Sequence, residues 1–300
     1  MNIEHFIARR IAMTRSGTFT RVIVRIAIAA IAVSLTVMIL TTAIIAGFKS
    51  EITDKIFGFW GHIHITDSNV NRTFELVPVS KDARYYDQIR DIRYIEYQEE
   101  VKVGGIPIEG KVRDKVTLGG VRGVYPYTIL PGLLSNRKNF HGVLIKGVDS
   151  RYDWGRMKKY IREGSIPGYS PDSASSDLLV SKNIADKMKL STGDKVILSF
   201  IRDNEQIKRR FRICGIYNTG LEEYDKRFCI ADLAKVQEIL KWKPDEVQGM
   251  EVELDDMRDL GIISEYIYYE ILPQNLYAET IRSKFPSIFE WLGLQDINEK

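Results

Sequence analysis

The chain has 300 residues, 28% of them charged, yet its formal net charge at pH 7 is only +3. The first 25 residues hold five arginines and one glutamate, so the rest of the chain is close to neutral. A near-neutral remainder argues against a nucleic-acid surface, and we expect no nucleic-acid partner. This length leaves room for two small domains beside an anchor.

The N-terminal part contains a long apolar run, Ile26 to Phe48, with no charged residue, Asn, Gln or Pro in 23 positions. A helix of that length is about 35 Å long and can cross a bilayer with some tilt. A cleaved signal peptide would have a shorter apolar core and an A-x-A site, which does not follow this run. The sequence predicts a transmembrane helix over 26–48. Because basic residues stay on the cytoplasmic side, it also predicts a cytoplasmic interfacial segment over 1–25 and a main domain outside the membrane.

The helical pattern continues beyond the apolar run. Apolar residues at helical spacing extend to Ile56, which predicts one helix of about 48 Å from Ile26 to Phe57 and a stalk able to couple membrane and exterior. The run HIHIT then alternates like a strand and puts His62 and His64 on one face. With no third ligand nearby, we expect two solvent-side histidines rather than a metal pair.

The remaining sequence mixes helical and strand patterns, which indicates an α+β fold. Helices are predicted over 81–92 with Ser80 as N-cap, after Ser181, over 232–240 and 255–271, and around 287–292. Strands are predicted over 94–103, 106–108, 112–118, 196–200, 211–216, 227–230, 248–254 and 276–279, with a β-like stretch over 121–147 and a turn-rich loop over 163–177. Cys214 and Cys229 have no metal-ligand spacing. A disulfide between them stays open, although two buried residues on strands are favoured.

No catalytic motif is present. The sequence lacks G-x-S-x-G, H-E-x-x-H and a D-x-D cluster. The run 105–112 approaches a phosphate-binding loop, but Val112 stands where that motif needs Ser or Thr. Glu222, Glu223 and Asp225 are close in sequence without a base of catalytic type, so a solvated loop is expected. We therefore expect no enzyme activity, catalytic residue, metal or cofactor.

Three stretches carry a family resemblance. The pattern S-x-x-I-A-x-x-M-x-L-x-x-G-D-x-V, from Ser181 to Val196, resembles the external domain of MacB/FtsX-type ABC-transporter permeases. The runs CGIYNTGLEEYDKRFCIADL and GFKSEITDKIFGFWGHI make the chain similar to LolC/LolE-like lipoprotein-releasing permease subunits of Gram-negative envelopes. The resemblance implies a single N-terminal transmembrane helix plus a MacB-like periplasmic core domain. In that domain, 49–118 and 231–290 would form a βαβ layer, and 119–230 an inserted β-rich subdomain.

The resembling family has four membrane spans. The resemblance therefore implies a chain truncated before its second transmembrane span, with 291–300 as the start of the missing membrane region. It also implies an inner-membrane location and a separate cytoplasmic ABC ATPase that uses the ATP. Further implied partners are a second copy or homologous permease subunit, membrane lipid, lipoprotein cargo and a periplasmic lipoprotein carrier. Two alternatives stay open: a MacB/FtsX-type mechanotransmission permease without lipid cargo, and a single-pass anchored periplasmic binding domain.

Three groups of residues are candidate sites. For helix packing in the membrane we select small or hydroxylic residues of the span, namely Ala30, Ser34, Ala43 and Gly47. For lining the lipid-cargo entrance, which the resemblance places at the outer half of the span, we select Met38, Ile45 and Phe48. The resemblance also implies a carrier-binding hairpin, here short, without proline and basic at its base: Arg202, Lys208, Arg209 and Arg210. Each group has a competing interpretation. The first group is also what an ordinary span contains, the second could pack against other spans, and the third could belong to an ordinary solvent-exposed hairpin.

Overall fold

The computed structural model describes residue 3 and residues 18–69, 76–103, 106–136, 139–171, 173–202, 205–286 and 288–290. The chain divides into two compact units, residues 1–53 with 287–300, and Asp54–Pro286, which we call the domain. Most of the predicted interfacial segment, and all of residues 291–300, lie outside the described residues.

The described elements are numbered in chain order. The helices are α1 (Thr18–Trp60), α2 (Arg84–Arg90), α3 (Trp154–Lys158), α4 (Lys182–Met188), α5 (Glu222–Asp225), α6 (Leu233–Leu240), α7 (Leu260–Tyr266) and α8 (Ile281–Lys284). A 3-10 turn, Met257–Asp259, precedes α7, and a π-helical turn, Ile267–Ile271, follows it. The strands are β1 (Ile63–Asp67), β2 (Val79–Ser80), β3 (Glu96–Val103), β4 (Ile106–Val116), β5 (Val121–Asn136), β6 (Asn139–Val148), β7 (Ile161–Gly164), β8 (Asp177–Ser181), β9 (Lys195–Arg202), β10 (Glu205–Tyr217), β11 (Phe228–Asp232), β12 (Glu246–Val247), β13 (Gly249–Leu254) and β14 (Leu276–Thr280).

Helix α1 extends beyond the predicted helix at both ends. It has 43 residues, which corresponds to about 65 Å. Among the described residues it is the one helix long and apolar enough to cross a membrane. The hydroxyls of Thr36 and Thr42 donate to the carbonyls of Ala32 and Met38, at 2.7 and 3.0 Å. These polar groups are thus satisfied within the helix, as an apolar environment requires.

One large sheet organises the domain. Its described strands follow the order β14-β1-β13-β5-β6-β11-β8-β10-β7, and β9 pairs with both β10 and β5. The β6–β11 and β8–β10 pairs are parallel, whereas the other neighbours in the sheet are antiparallel. Strands β3 and β4 form a separate ribbon. The described edge strands of this sheet are β14 and β7, and the pairings from β5 through β6, β11, β8, β10 and β9 return to β5.

Two hydrophobic clusters lie along this sheet. One contains Phe200 and Phe211 and is built mainly from β5, β6 and β8 to β11 with α4 and α6. The other contains Ile65 and Ile263 and is built mainly from β1, β13 and β14 with α2 and α7. The sheet itself is continuous through both clusters. The division into a layer of 49–118 with 231–290 and an insertion of 119–230 stays a prediction.

The start of α4 is as predicted. Ser181 Oγ accepts a hydrogen bond from the Ile184 N–H at 3.1 Å, which satisfies a helix-terminal donor. Ile184 and Met188 are buried below this cap. Gly193, with φ of +90°, makes the turn that leads into β9.

Helix α2 begins later than predicted, and the Ser80 cap is wrong. Its N-cap position is Ala83, which makes no side-chain cap. Ser80 belongs instead to β2, where it pairs with Glu246, and its hydroxyl donates to Asp245 at 3.2 Å. Ser80 therefore forms a long-range strand contact instead of the helix cap that the local pattern predicted.

Three other predictions can be compared with the structure. The strands predicted over 106–108 and 112–118 are one strand, β4. The last predicted helix falls partly on residues 287, 291 and 292, which lie outside the described residues. Cys214 and Cys229 are both free, on β10 and β11, with β8 between those strands.

Gly164 gives a test of the packing between β7 and β10. Its φ is +76°, and an added Cβ would lie 2.3 Å from the Cys214 carbonyl oxygen. We expect Gly164→Ala to lower the free energy of unfolding by about 2 kcal/mol or more, through backbone strain and overpacking. The measurement is urea unfolding of the whole chain in detergent, followed by tryptophan fluorescence.

Gly168→Ala is the matched control, because a Cβ at Gly168 meets nothing within 4 Å. It should leave the unfolding midpoint unchanged. Equal midpoints for the two variants would contradict the close approach of β7 to β10.

Candidate functional site at the end of helix α1

Helix α1 ends inside the domain. Ile56, Phe57, Phe59 and Trp60 are all buried, with at most 7% of their surface exposed. Gly61 follows with φ of +70°, and its N–H donates to the Phe57 carbonyl at 2.9 Å. This left-handed residue is the usual stop of an α-helix, and β1 begins two residues later.

Two cationic side chains bind the last carbonyl groups of α1. Lys146 Nζ, on β6, donates to the carbonyl of Phe59, and Arg156 Nη1, on α3, donates to the carbonyl of Phe57 at 3.4 Å. The C-terminal end of a helix carries partial negative charge and unsatisfied carbonyls. Cations at this position therefore donate to helix-end carbonyls and complement their partial negative charge.

The Lys146 ammonium is neutralised by Glu251 of β13. Their charged atoms are 2.7 Å apart, and both side chains are almost fully buried. The rings of Phe59, Trp60 and Tyr152 surround the ammonium, with centroids at 4.8, 5.0 and 5.5 Å. Burial lowers the pKa of Lys146 and raises the pKa of Glu251, while their mutual attraction opposes both shifts. We call Lys146, Glu251, Phe59 and Trp60 the helix seat.

A second ion pair lies next to the helix seat. Arg156 contacts Glu253 of β13, whose side chain is 1% exposed, and Arg122 Nη1 reaches the same carboxylate at 3.1 Å. Arg156 also lies 3.5 Å from Asp153. Glu251 and Glu253 occupy alternate positions of one strand, so both face the side on which α1 ends.

The two histidines are buried, so the prediction of solvent-side histidines is wrong. His62 and His64 are 5% and 1% exposed. The end of α1 covers them: the ring of Phe57 is 4.9 Å from that of His62, and the ring of Trp60 is 5.6 Å from that of His64. A strand pattern cannot show which element covers a face. In the described part of the chain, no group of three His, Cys, Asp or Glu side chains could hold a metal.

Burial keeps both histidines neutral. The pKa of His62 falls to about 3, first through desolvation and then through the charges of Arg156 and Arg122. Its Nδ1 accepts a hydrogen bond from the Leu254 N–H at 2.8 Å. The pKa of His64 falls well below its usual value, first through desolvation and then through the nearby ammonium of Lys284.

The carboxylate group 222–225 is only partly the solvated loop that we predicted. Glu222 and Glu223 are exposed. Asp225 is buried and accepts hydrogen bonds from Thr219 Oγ1 at 2.8 Å and from the Gly220 N–H at 3.0 Å. Between them Tyr224 packs its ring 5.5 Å from that of Phe59. This segment therefore supports the helix seat instead of forming a free loop.

The selected residues of the span are exposed on α1, except Ile45, which is half-buried. At 100° per residue, Met38, Ile45 and Phe48 fall within an arc of about 80°. The four small residues instead form two separate pairs, Ala30 with Ser34 and Ala43 with Gly47, and Ala30 and Ala43 are about 140° apart around the helix. The cargo-lining residues thus share one face, whereas the packing residues occupy two.

The predicted hairpin is present as β9 and β10, and its basic residues are divided between two faces. Opposite pairs of the hairpin are Ser199 with Lys208 and Ile197 with Arg210. Ile197, Ile201, Lys208 and Arg210 are exposed, Ile201 by 80%, and we call these four the hairpin face.

The other two predicted basic residues lie elsewhere. Arg209 stands opposite the buried Leu198 and therefore on the other face. Arg202 donates from Nη1 to the Ile239 carbonyl at 2.6 Å, at the end of α6. The hairpin tip, residues 203 and 204, lies outside the described residues.

Sequence reasoning missed the charges of the helix seat. Lys146 interrupts the apolar run VLIKGV, and Glu251 and Glu253 alternate with apolar residues in GMEVEL. A lone lysine between apolar residues of a strand was a usable signal, because such a charge needs a buried partner. The alternating glutamates were not a usable signal, since charged residues at every second position usually indicate the solvent-exposed face of a strand.

Comparison with known proteins places the chain in a family. Residues 26–267 match the MacB-like periplasmic core domain, and the chain belongs to that family. This confirms the predicted LolC/LolE-like, MacB-type resemblance and the α+β fold with one N-terminal apolar helix. Helix α1 is the N-terminal apolar helix of this prediction, and the large sheet with its helices is the α+β domain.

Two curated relatives extend the comparison. The lipoprotein-releasing system transmembrane protein LolE of Haemophilus influenzae is 24% identical over 186 residues, which cover 58% of this chain and 42% of that protein. LolC of Xylella fastidiosa is 22% identical over 268 residues, which cover 85% of this chain and 56% of that protein. The chain thus spans about half the length of the curated relatives it matches.

Two solved structures are also similar. The periplasmic region of MacB from Actinobacillus actinomycetemcomitans has a TM-score of 0.47 and 11% identity, and the match covers 76% of this chain and 92% of that one. The extracellular domain of the transporter YknZ from Gram-positive bacteria has a TM-score of 0.45 and 10% identity, and the match covers 73% of this chain and 98% of that one.

The lowered pKa of His62 gives a pH-dependent prediction. An unfolded chain binds a proton at His62 near pH 6.5, whereas the folded chain does so near pH 3, so stability is complete above 6.5 and is lost as the pH falls. Between pH 7 and 5, protonation of His62 in the unfolded chain should lower the free energy of unfolding by about 2 kcal/mol. His62→Asn keeps an acceptor for Leu254 and should remove that share of the loss. The measurement is the free energy of unfolding from pH 8 to 5, and an unchanged slope in the variant would contradict the assignment.

Proposed function

We propose that this chain is the transmembrane subunit of an ABC transporter that releases lipoproteins from the inner membrane toward a periplasmic carrier. A separate cytoplasmic ATPase would supply the energy. The family membership, the apolar span of α1 and the names of the curated relatives support the proposal. The chain itself would bind no cofactor, since ATP is used by the partner.

The observation that carries the proposal is the end of α1. One helix contains both the apolar run and the buried residues Ile56 to Trp60. Its last carbonyls are bound by Lys146 and Arg156, and those cations are bound by glutamates of β13. A displacement of this helix would therefore reach the sheet directly, because no flexible loop lies between them. Such a connection suits a protein that converts movement in the membrane into movement of an external domain.

We further propose the location and the partners that this function requires. The N-terminus would be cytoplasmic and the domain periplasmic, because the arginines precede the apolar run. The cytoplasmic ATPase and a second copy or homologous permease subunit would complete the transporter. Membrane lipid would surround α1, whose span residues are mostly exposed along its length.

Purification and reconstitution test this function. The complete gene product, purified with its ATPase and placed in liposomes with a fluorescent triacylated lipoprotein, should release the lipoprotein when ATP and the carrier are added. The variant Ser34→Leu with Gly47→Leu should reduce the ATPase and permease recovered with the chain, since large side chains prevent close helix contact.

The alternatives give different results. ATP hydrolysis without lipoprotein release would favour a mechanotransmission permease that has no lipid cargo. A chain purified without any ATPase would favour an anchored periplasmic binding domain. Either result would overturn lipoprotein release as the function.

The shared face of Met38, Ile45 and Phe48 should line the cargo entrance. A photo-crosslinking amino acid at each position should capture lipoprotein in the reconstituted transporter, because a long apolar chain needs contact with flexible and bulky side chains. Ile39 is the matched control, since it is exposed at similar depth and lies at least about 100° around the helix from all three residues. Capture of protein partners only, or equal lipoprotein capture at Ile39, would count against the cargo face.

The hairpin face should contact the carrier mainly through charge. We expect Lys208→Glu with Arg210→Glu to weaken binding of the carrier to the whole chain about tenfold, and we expect wild-type binding to fall with added salt. Arg209→Glu, on the opposite face of the same hairpin, should have a much smaller effect. Binding measured by pull-down that survives the double reversal would exclude the hairpin face as the carrier site.

A further inference from the structure

A recess beside the end of α1 has no part in the function proposed above. Its volume is about 250 Å³, and the ring of His62 forms part of its wall. Four charged side chains also line it, namely Arg122, Arg156, Lys159 and Asp255. Three of them are cations and one is a carboxylate. The lining of the recess therefore has more positive than negative groups.

His62 has a hydrogen-bond donor that the domain does not use. The side chain is 5% exposed, and its Nδ1 accepts a hydrogen bond from the Leu254 N–H at 2.8 Å. In the neutral ring the proton is therefore on Nε2. Within the described part of the chain, no group accepts a hydrogen bond from Nε2. A buried N–H without a partner is costly, so an acceptor bound in the recess would satisfy it.

Two of the cations also keep donors available. Arg122 uses Nη1 for Glu253 at 3.1 Å and Nε for Asp255 at 3.4 Å, which leaves its Nη2 group for a ligand. Lys159 is exposed and forms no ion pair with the described residues. Arg156 differs from both, because its nitrogens are already directed at the end of α1 and at carboxylates. It contributes charge to the recess rather than a new hydrogen bond.

The electrostatic environment of the recess favours an anion. After desolvation, the charges of Arg156 and Arg122 are the causes that lower the pKa of His62, so the potential at this ring is positive although Glu253 lies nearby. Guanidinium and ammonium groups bind phosphate oxygens strongly, and a phosphate has several oxygens for donors that converge from different elements. The volume is much larger than one water needs, so it also admits a small group attached to the phosphate.

We propose that this recess binds a phosphate group, with the Lys159 ammonium, Arg122 Nη2 and His62 Nε2 as its donors. Free phosphate compounds and the headgroups of phospholipids both present such a group. The three donors come from the segment after α3, from β5 and from the residue before β1. This inference does not depend on the proposed transport function.

The ring nitrogens of His62 give a direct test with inorganic phosphate. The whole chain, labelled with ¹⁵N-histidine, is studied by NMR in an uncharged detergent at constant ionic strength. The chain has four histidines, and the signal that is absent from His62→Asn belongs to His62. Added phosphate should shift the Nε2 signal of His62 until the shift saturates. The Nε2 signal of His141, which contacts the Lys226 carbonyl at 3.0 Å, should stay unchanged.

A pair of neighbouring lysines gives the matched variants. Lys159→Glu should raise the phosphate concentration of the half-maximal shift about tenfold or more, because a cation of the site becomes an anion. Lys158→Glu makes the same change at an exposed residue that does not line the recess, and it should have little effect. Resistance to protease shows that both variants are folded.

Vesicles distinguish the two sources of the phosphate group. The same signal is compared in vesicles of phosphatidylglycerol and in vesicles of an uncharged glycolipid, without added phosphate. A shift with inorganic phosphate in detergent supports a site for soluble phosphate compounds, and a shift only in phosphatidylglycerol supports a site for a lipid headgroup. A His62 signal that moves in neither experiment, or moves equally in Lys159→Glu, would overturn the proposal.

Discussion

The buried end of α1 is the constraint on which the rest of the domain depends. A helix that ends away from water leaves carbonyl groups that need donors, and Lys146 and Arg156 are the donors here. The fully buried Lys146 in turn requires an anion, because the desolvation of an unpaired charge costs far more than one hydrogen bond contributes. Glu251 and Glu253 meet this requirement from one strand. The helix end thereby fixes which face of β13 points inward.

This arrangement links the helix to the centre of the sheet. Strand β13 lies between β1 and β5, and Glu251 stands opposite His64 on one side and Tyr125 on the other. Shifting β13 by one residue would turn both glutamates to the opposite face and remove the carboxylate that neutralises Lys146. A buried ion pair adds little net stability, but it disfavours such alternative registers. A defined position for the end of α1 against the sheet is what the proposed transmission of helix movement would require.

The strand pairings leave little of this sheet open at its edges. Strands β14 and β7 are the described edge strands, whereas β9 pairs with both β10 and β5. The pairings from β5 through β6, β11, β8, β10 and β9 therefore return to β5, and the backbone groups of these strands are largely used by their neighbours. The β9–β10 hairpin nevertheless keeps a face with two cations and two exposed isoleucines. Strand β13, which carries the glutamates that face the end of α1, joins this part of the sheet to β1 and β14.

The sequence by itself determined the features that depend on local pattern. The apolar run and its continuation predict α1, Ser181 predicts the start of α4, and the alternation around residues 196–216 predicts the β9–β10 hairpin. The resemblance of three sequence stretches to known permeases also indicated the family. Only the tertiary structure decided that His62 and His64 are buried and that Lys146 meets Glu251, a partner 105 residues away. A strand period of two shows that residues share a face, but whether that face is covered, and by which side chains, depends on elements distant in sequence.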